Sequence, residues 1–259
     1  MMIIEQMLNN AQNKLLHIAD GSGSALFQGD CLDIMPLIPD KSVQLILADL
    51  PYGTTNLKWD SVLPLDKLWT EYKRIITDKG SIVLTASQPF TSALVMSNPK
   101  LFKYDLVWDK VNRYTGFLNA NRMPLRRHEN VLIFYKKLGT YNKQMGEGKP
   151  YDAKRSGSGY EGVGKYKIKD GKNDGQRNPH SILSIKADVK TEIGLHPTQK
   201  PLELMKYLIK TYSNENDMVL DNTMGSGTTC LAAKELNRRF IGIEKEVKYY
   251  DLAVARVFG

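Results

Sequence analysis

The chain has 259 residues and an ordinary apolar content of 42%, enough for one sizeable α/β domain with an insertion or for two small domains. No apolar run approaches the roughly 18 residues of a membrane span, and the opening MMIIEQMLNNAQNKLLHIAD lacks the basic start and unbroken apolar stretch of a signal peptide. Cys31 and Cys230 are the only cysteines and show no metal-ligand spacing, so no disulfide framework or metal site is expected and a reducing cytoplasm is the default. The net charge of +8 favours an anionic partner.

In chain order, Ile3, Ile4, Met7, Leu8, Ala11, Leu15 and Leu16 fit one face of an amino-terminal helix. SALFQG (24–29) predicts a strand, CLDIMPLI a short helix, VQLILA (43–48) a buried strand and LPLDKLWTEYKRII an amphipathic helix. SIVLTA (81–86), YDLVWDK (104–110) and NVLIFYK (130–136) are further strand candidates. Late in the chain come the amphipathic helix PLELMKYLIKTYS, strand MVLDN, a glycine loop, helix TTCLAAKELN, strand FIGIE and helix VKYYDLAVARV. Such alternation predicts a doubly wound, mainly parallel sheet covered on both faces, with ligands beyond the carboxyl ends of its strands. ADLPYG (48–53) and DNTMGSGTT both fall there.

Between these halves lies a different kind of sequence. From Lys136 to Lys190 there are 13 Lys or Arg against 6 Asp or Glu, so this stretch carries +7 of the net charge. From Gly139 to Ser181 the only Val, Ile, Leu, Met or Phe residues are Met145, Val163 and Ile168. A segment so poor in apolar residues cannot build a stable core by itself. It reads either as a solvated insertion or as an arm that closes on nucleic acid, lysines on phosphates and tyrosines stacking. The expected division is a catalytic domain of residues 1–137 and 191–259 around an insertion of residues 138–190.

The glycine loop links a strand ending at Asp221 to a helix, and Glu244 closes the next strand 17 residues beyond Gly227. Small residues allow a ligand close to the backbone, and a helix amino terminus offers free N–H groups. No Lys-Ser/Thr follows the glycines, so the loop is not a P-loop, and it is not G-x-G-x-x-G either. Asp221 would repel a pyrophosphate but suits an ammonium or a sulfonium, and S-adenosylmethionine carries both. ADLPYG raises a parallel question. Asp49, Pro51 and Tyr52 form either a stiff turn or a pocket wall with one charge and one flat face.

With these motifs in place, the chain resembles the amino-methyltransferases of DNA. DLPY resembles their Asp-Pro-Pro-Tyr motif, DNTMGSGTT their Asp-Pro-Phe-x-Gly-Ser-Gly-Thr-Thr loop, and HPTQKP (196–201) matches a third segment. GDCLDIMPLIPDKSVQLILADLPYG and RRHENVLIFYKK follow the family pattern too. The motif order is similar to the permuted β group of bacterial and phage enzymes. Leu50 and Thr223 depart from the usual proline and phenylalanine.

The resemblance implies a seven-stranded Rossmann-like sheet and methyl transfer from S-adenosylmethionine, leaving S-adenosylhomocysteine, with no metal. The acceptor would be the N6 amine of a flipped adenine, or by the same chemistry the N4 amine of cytosine. It implies catalytic roles for Asp49, Leu50, Pro51 and Tyr52. It places Asp30 at the cofactor's adenine, Glu244 at its ribose, and Asp221, Thr223, Gly225, Ser226, Gly227 and Thr228 in its methionine-side loop. Thr198 and Lys200 are expected near its carboxylate. DNA contacts are expected from Arg113, Arg122, Arg126, Arg127, Lys143, Lys154, Arg155, Lys165 and Lys167. Cys31, Cys230, His128 and His196 are not expected in catalysis. The expected partner is DNA, with a restriction endonuclease as a functional partner, no membrane, and a monomer or homodimer. An inactive DNA-binding relative, or an enzyme acting on RNA or a protein amide, is the competing expectation.

Overall fold

A computed structural model describes residues 2–10, 16–53, 61–153, 171–188 and 199–259. Thr198, His196, Lys154, Arg155, Lys165 and Lys167 therefore lie outside the described residues. The chain divides into a large unit, 1–142 with 181–259, and a small unit, 143–180.

The large unit is built on strands β1 (His17–Ala19), β2 (Ala25–Gln28), β3 (Val43–Asp49), β4 (Ile76–Ala86), β5 (Phe102–Asp109) and β6 (His128–Tyr135). It continues with β11 (Ile182–Ser184), β12 (Met218–Asp221) and β13 (Arg239–Glu244), in the order β1-β2-β13-β12-β3-β4-β6-β5-β11. Neighbours from β2 through β13, β12 and β3 to β4 pair in parallel, whereas β6 runs antiparallel to both β4 and β5. Seven strands, β2 to β5 in that order, thus form the expected mainly parallel sheet. The short β1 and β11 extend its edges.

Successive side chains of a strand point to opposite faces, and the core divides accordingly. Phe27, Ile46, Ile82, Leu220 and Ile241 pack on one face, Leu26, Leu45, Leu47, Val83 and Val219 on the other. The first face is covered by α1 (Met2–Asn10), α2 (Cys31–Ile34), α3 (Leu65–Ile75) and α4 (Phe90–Ser97). The second is covered by α5 (Leu202–Tyr212), α6 (Thr228–Glu235) and α7 (Val247–Phe258). In α3 the buried Leu68, Trp69, Tyr72 and Ile75 recur at helical spacing, with Asp66 in the first turn and Lys73 and Arg74 in the last.

Three expectations need correction. Leu16, expected on the buried face of the first helix, is exposed and leads into β1, and its carbonyl accepts the Gln28 N–H, whereas Ala11 and Leu15 lie outside the described residues. β4 begins at Ile76 directly after α3, because residues before SIVLTA already pair with β3 across a register shift between Val43 and Leu45. β11, inside the stretch read as insertion, pairs with β5 in the main sheet.

The small unit contains two antiparallel pairs, β7 (Gly146–Glu147) with β10 (Gln176–Arg177) and β8 (Tyr151–Ala153) with β9 (Gly171–Asn173). Arg177 holds it locally: its guanidinium lies 4.9 Å from the Tyr151 ring centre and donates to the Lys149 carbonyl at 2.5 Å.

Candidate active site

Parallel pairing sends the carboxyl ends of β2, β13, β12 and β3 to one edge of the sheet. Asp30, Glu244, Asp221 and Asp49 therefore stand in a row, one just beyond or at the end of each strand. Antiparallel β6 begins at this same edge, so Glu129 joins the row, and Lys110 follows the end of β5. All six line one cavity of about 570 Å³.

At the β2 end, Asp30 caps α2: its Oδ1 accepts the Leu32 N–H at 2.9 Å, and Oδ2 lies 3.0 Å from Lys245 Nζ. Burial raises the carboxyl, but the Leu32 amide and Lys245 outweigh it and hold it below the usual range. Glu244 accepts the Gly225 N–H at 2.9 Å on Oε2 and the Glu246 N–H at 2.8 Å on Oε1. Burial dominates there and pushes the carboxyl up. Asp221 is buried and its Oδ1 accepts the Thr223 N–H at 3.1 Å, yet burial, with the charges of Asp49 and Glu244, lifts its carboxyl to about 7.

The glycine loop needs its glycines for different reasons. Gly225 and Gly227 both have left-handed backbones, φ 52° and 77°. Gly225 lines the cavity. Gly227, expected in the cofactor loop, does not; a Cβ there would sit 3.0 Å from the Ala253 Cβ on α7, so close helix packing explains it. Arg256 of α7 secures the loop, donating to the Ser226 carbonyl at 2.6 Å and to the Thr228 hydroxyl at 3.2 Å. Thr223, which replaces the usual phenylalanine, donates its hydroxyl to the Asp49 carbonyl at 3.1 Å. That bond joins the two motifs directly.

Asp49 is held by three donors. The Tyr52 hydroxyl reaches Oδ1 at 2.6 Å, the Thr85 hydroxyl also donates to Oδ1, and Lys200 Nζ lies 2.5 Å from Oδ2. Tyr52 stacks on Phe90 with ring centres 5.5 Å apart. Leu50 is buried, and Pro51 and Tyr52 line the cavity wall. The loop is thus a pocket wall and not a bare turn.

Lys200, expected near a cofactor carboxylate, is bound to Asp49 and lies 3.3 Å from Glu129, which is itself 2.5 Å from Lys110. Glu129, Lys110, Thr85 and Arg256 were not singled out from the sequence. Glu129 does lie in the quoted RRHENVLIFYKK, where an acid at the start of an apolar run was the available signal.

Of the arginines, Arg113 and Arg126 line the cavity, and Arg122 and Arg127 are exposed beyond it. Arg113 donates to the Asp188 carbonyl at 2.8 Å, Arg126 to the Ser87 hydroxyl at 2.6 Å, and Arg127 pairs with Asp109 at 2.7 Å. Lys143 is exposed in the small unit. His128 is exposed at the start of β6. Both cysteines are buried free thiols, and burial raises Cys31 to about 11. No group of side chains suited to a metal ion occurs among the described residues.

Comparison with known proteins shows the family. The DNA methylase family model, covering N6 and N4 methylases, matches residues 43–255. Among curated proteins, the type II methyltransferase M1.MboII of Moraxella bovis is 31% identical over 88% of this chain and 94% of its own. M.HinfI of Haemophilus influenzae is 29% identical over 90% of this chain and 68% of its own. Among solved structures, the M1.HpyAVI–SAM complex superposes with a TM-score of 0.62 at 28% identity, over 89% of this chain and 97% of that one. The cytosine-N4-specific PvuII methyltransferase, at 16% identity, shares the fold with a TM-score of 0.64 over 91% and 86%. This chain belongs to the N6/N4 DNA methylase family.

Proposed function

We propose that this protein is a site-specific DNA methyltransferase that transfers a methyl group from S-adenosylmethionine to the N6 amine of an adenine swung out of the duplex. The observation that carries the reading is the single cavity in which the Asp49 loop and the Asp221–Gly225 loop meet, tied by the Thr223 hydroxyl on the Asp49 carbonyl.

The residues present fit the cofactor. Asp30, Asp221 and Glu244 make the β2–β12 end of the cavity acidic, which suits an ammonium, a sulfonium and ribose hydroxyls that donate hydrogen bonds. Asp30 and Glu244 would hold the adenosine part, and Asp221, Thr223, Gly225, Ser226 and Thr228 the methionine part. When bound, S-adenosylmethionine supplies an electrophilic methyl carbon.

An exocyclic base amine is a poor nucleophile because its lone pair is delocalised into the ring. Asp49 and the Leu50 carbonyl offer two acceptors for its two N–H bonds, which favours a pyramidal nitrogen and stabilises the positive charge that grows on it. Tyr52 offers a π-face for the extruded base, and such stacking is worth about 1–3 kcal/mol. Pro51 stiffens the step between acceptor and ring. Leu50 keeps the carbonyl that proline would have supplied, and preceding a proline biases it to extended backbone.

Asp at the head of the DLPY motif favours adenine by the family pattern. The N4 amine of cytosine requires the same acceptors, so the choice is tested by mass analysis of nucleosides from DNA incubated with enzyme and cofactor. N6-methyladenine is expected; N4-methylcytosine would overturn the adenine assignment. The type II relatives support a functional pairing with a restriction endonuclease of the same target site.

A further inference from the structure

Lys200 and Glu129 form part of a buried chain of alternating charge that the motif comparison did not anticipate. Along the cavity wall, Asp49 Oδ2 meets Lys200 Nζ at 2.5 Å, Lys200 meets Glu129 Oε2 at 3.3 Å, and Glu129 Oε1 meets Lys110 Nζ at 2.5 Å. The side chains of Lys200, Glu129 and Lys110 are 8%, 13% and 11% exposed. The Tyr52 hydroxyl stands between the two carboxylates, 2.6 Å from Asp49 and 3.4 Å from Glu129. The Lys200 ammonium also lies 5.5 Å from the centre of the Tyr52 ring.

We propose that Lys200, seated on Glu129, is a positioning residue for the methyl-accepting amine: it fixes the Asp49 carboxylate in place, and it does not serve the cofactor's carboxylate.

Two carboxylates facing one hydroxyl repel each other, and without a cation between them the Asp49 carboxylate would turn away from the position in which the incoming NH2 needs an acceptor. Lys200 removes that conflict. Glu129 in turn offsets the Lys200 charge, which alone would oppose positive charge growing on the amine nearby, and Lys110 offsets Glu129. Burial raises the Glu129 carboxyl, but Lys200 and Lys110 outweigh it and hold it below its ordinary value. Burial alone would lower Lys200; Asp49 and Glu129 raise it instead, so it stays an ammonium. Asp221 on β12 also feels the Asp49 charge, which helps to raise its carboxyl. Three donors already occupy the carboxylate, two on Oδ1 and one on Oδ2. The second lone pair of Oδ2 is left for the amine.

This inference rests on the methyltransferase reading, and the wild-type enzyme tests that reading separately, since it must methylate DNA whatever Lys200 does. The experiment measures Lys200→Met and Glu129→Gln for S-adenosylmethionine Kd by calorimetry and for kcat at saturating cofactor and DNA between about pH 5.5 and 9. Lys200→Met is expected to keep the cofactor Kd within about threefold and to lose at least about 100-fold in kcat at neutral pH. Glu129→Gln, which leaves the Lys200–Asp49 contact in place, is expected to lower kcat with an unchanged cofactor Kd, and it decides the matter if Lys200→Met does not fold. A Lys200→Met enzyme that binds cofactor tenfold more weakly while keeping its kcat would assign Lys200 to the cofactor and overturn the proposal. Unchanged kcat in both variants would overturn it equally.

Discussion

In the proposed mechanism Tyr52 has two separable jobs, because its hydroxyl donates to Asp49 while the residue also lines the cavity. Tyr52→Phe keeps the ring and removes a hydrogen bond to a carboxylate, a contact worth about 1.5–3 kcal/mol. Steady-state kinetics should show kcat lowered about 10- to 100-fold with little change in KM for DNA. Tyr52→Ala should in addition raise KM for DNA, since about 1–3 kcal/mol of stacking disappears. Equal behaviour of the two variants would remove the stacking role. Asp221 gives a pH prediction. Its carboxyl lies at about 7 in the folded protein, above the unfolded value of about 3.9. Its contribution to stability is therefore complete below the unfolded value and is lost as pH rises through about 7. The cofactor-free protein should melt at lower temperature as pH rises from about 4 to 7, and Asp221→Asn should flatten that dependence. A cationic ligand prefers the ionised carboxylate, so cofactor affinity should rise across the same window in wild type and less in Asp221→Asn.

At the scale of elements, the loop between β5 and β6 contributes Arg113, Tyr114, Thr115 and Arg126 to the cavity wall. It is closed by a bridge between Thr115 and Arg126, turns at Gly116 with φ 91°, and leaves Phe117 and Leu118 66% and 102% exposed. Arg113, Arg122, Arg126 and Arg127 flank this apolar tip in the sequence. An apolar tip on a basic loop suits the gap that a flipped base leaves in a stacked duplex. Replacing Phe117 and Leu118 with serine should lower kcat/KM on a paired target about tenfold or more, and much less on a target opposite an abasic position, where unstacking costs less. Equal losses on the two substrates would exclude the wedge.

How far such elements could be read in advance varied with their length and neighbours. β3, β12 and β13 were legible because a parallel strand buried on both faces reads as an unbroken apolar run. Asp49, Asp221 and Glu244 were legible as the polar residues that end those runs. α4 went unread because FTSALVMS is short and nearly uniformly apolar, and β1 and β11 because three residues carry no alternation. Glu129 and Lys110 were hidden for another reason. Only the antiparallel entry of β6 brings the start of one strand beside the ends of the others, and that register is nonlocal.

For the whole molecule, the charge is unevenly distributed along the chain. Residues 136–190 hold +7 of the net +8, and we expect the basic segment to serve target recognition. DNA affinity should fall steeply with salt, with a log–log slope of about −0.9 for each phosphate neutralised. Deleting residues 143–172 should leave cofactor binding intact and abolish discrimination between target and non-target DNA. Retained discrimination would move recognition to the arginines of the β5–β6 loop. The most direct test of the shared cavity is Asp49→Ala, measured in parallel for S-adenosylmethionine binding by calorimetry and for methyl transfer to duplex DNA. Cofactor affinity close to wild type with methyl transfer abolished is the predicted result; undiminished transfer would contradict the account.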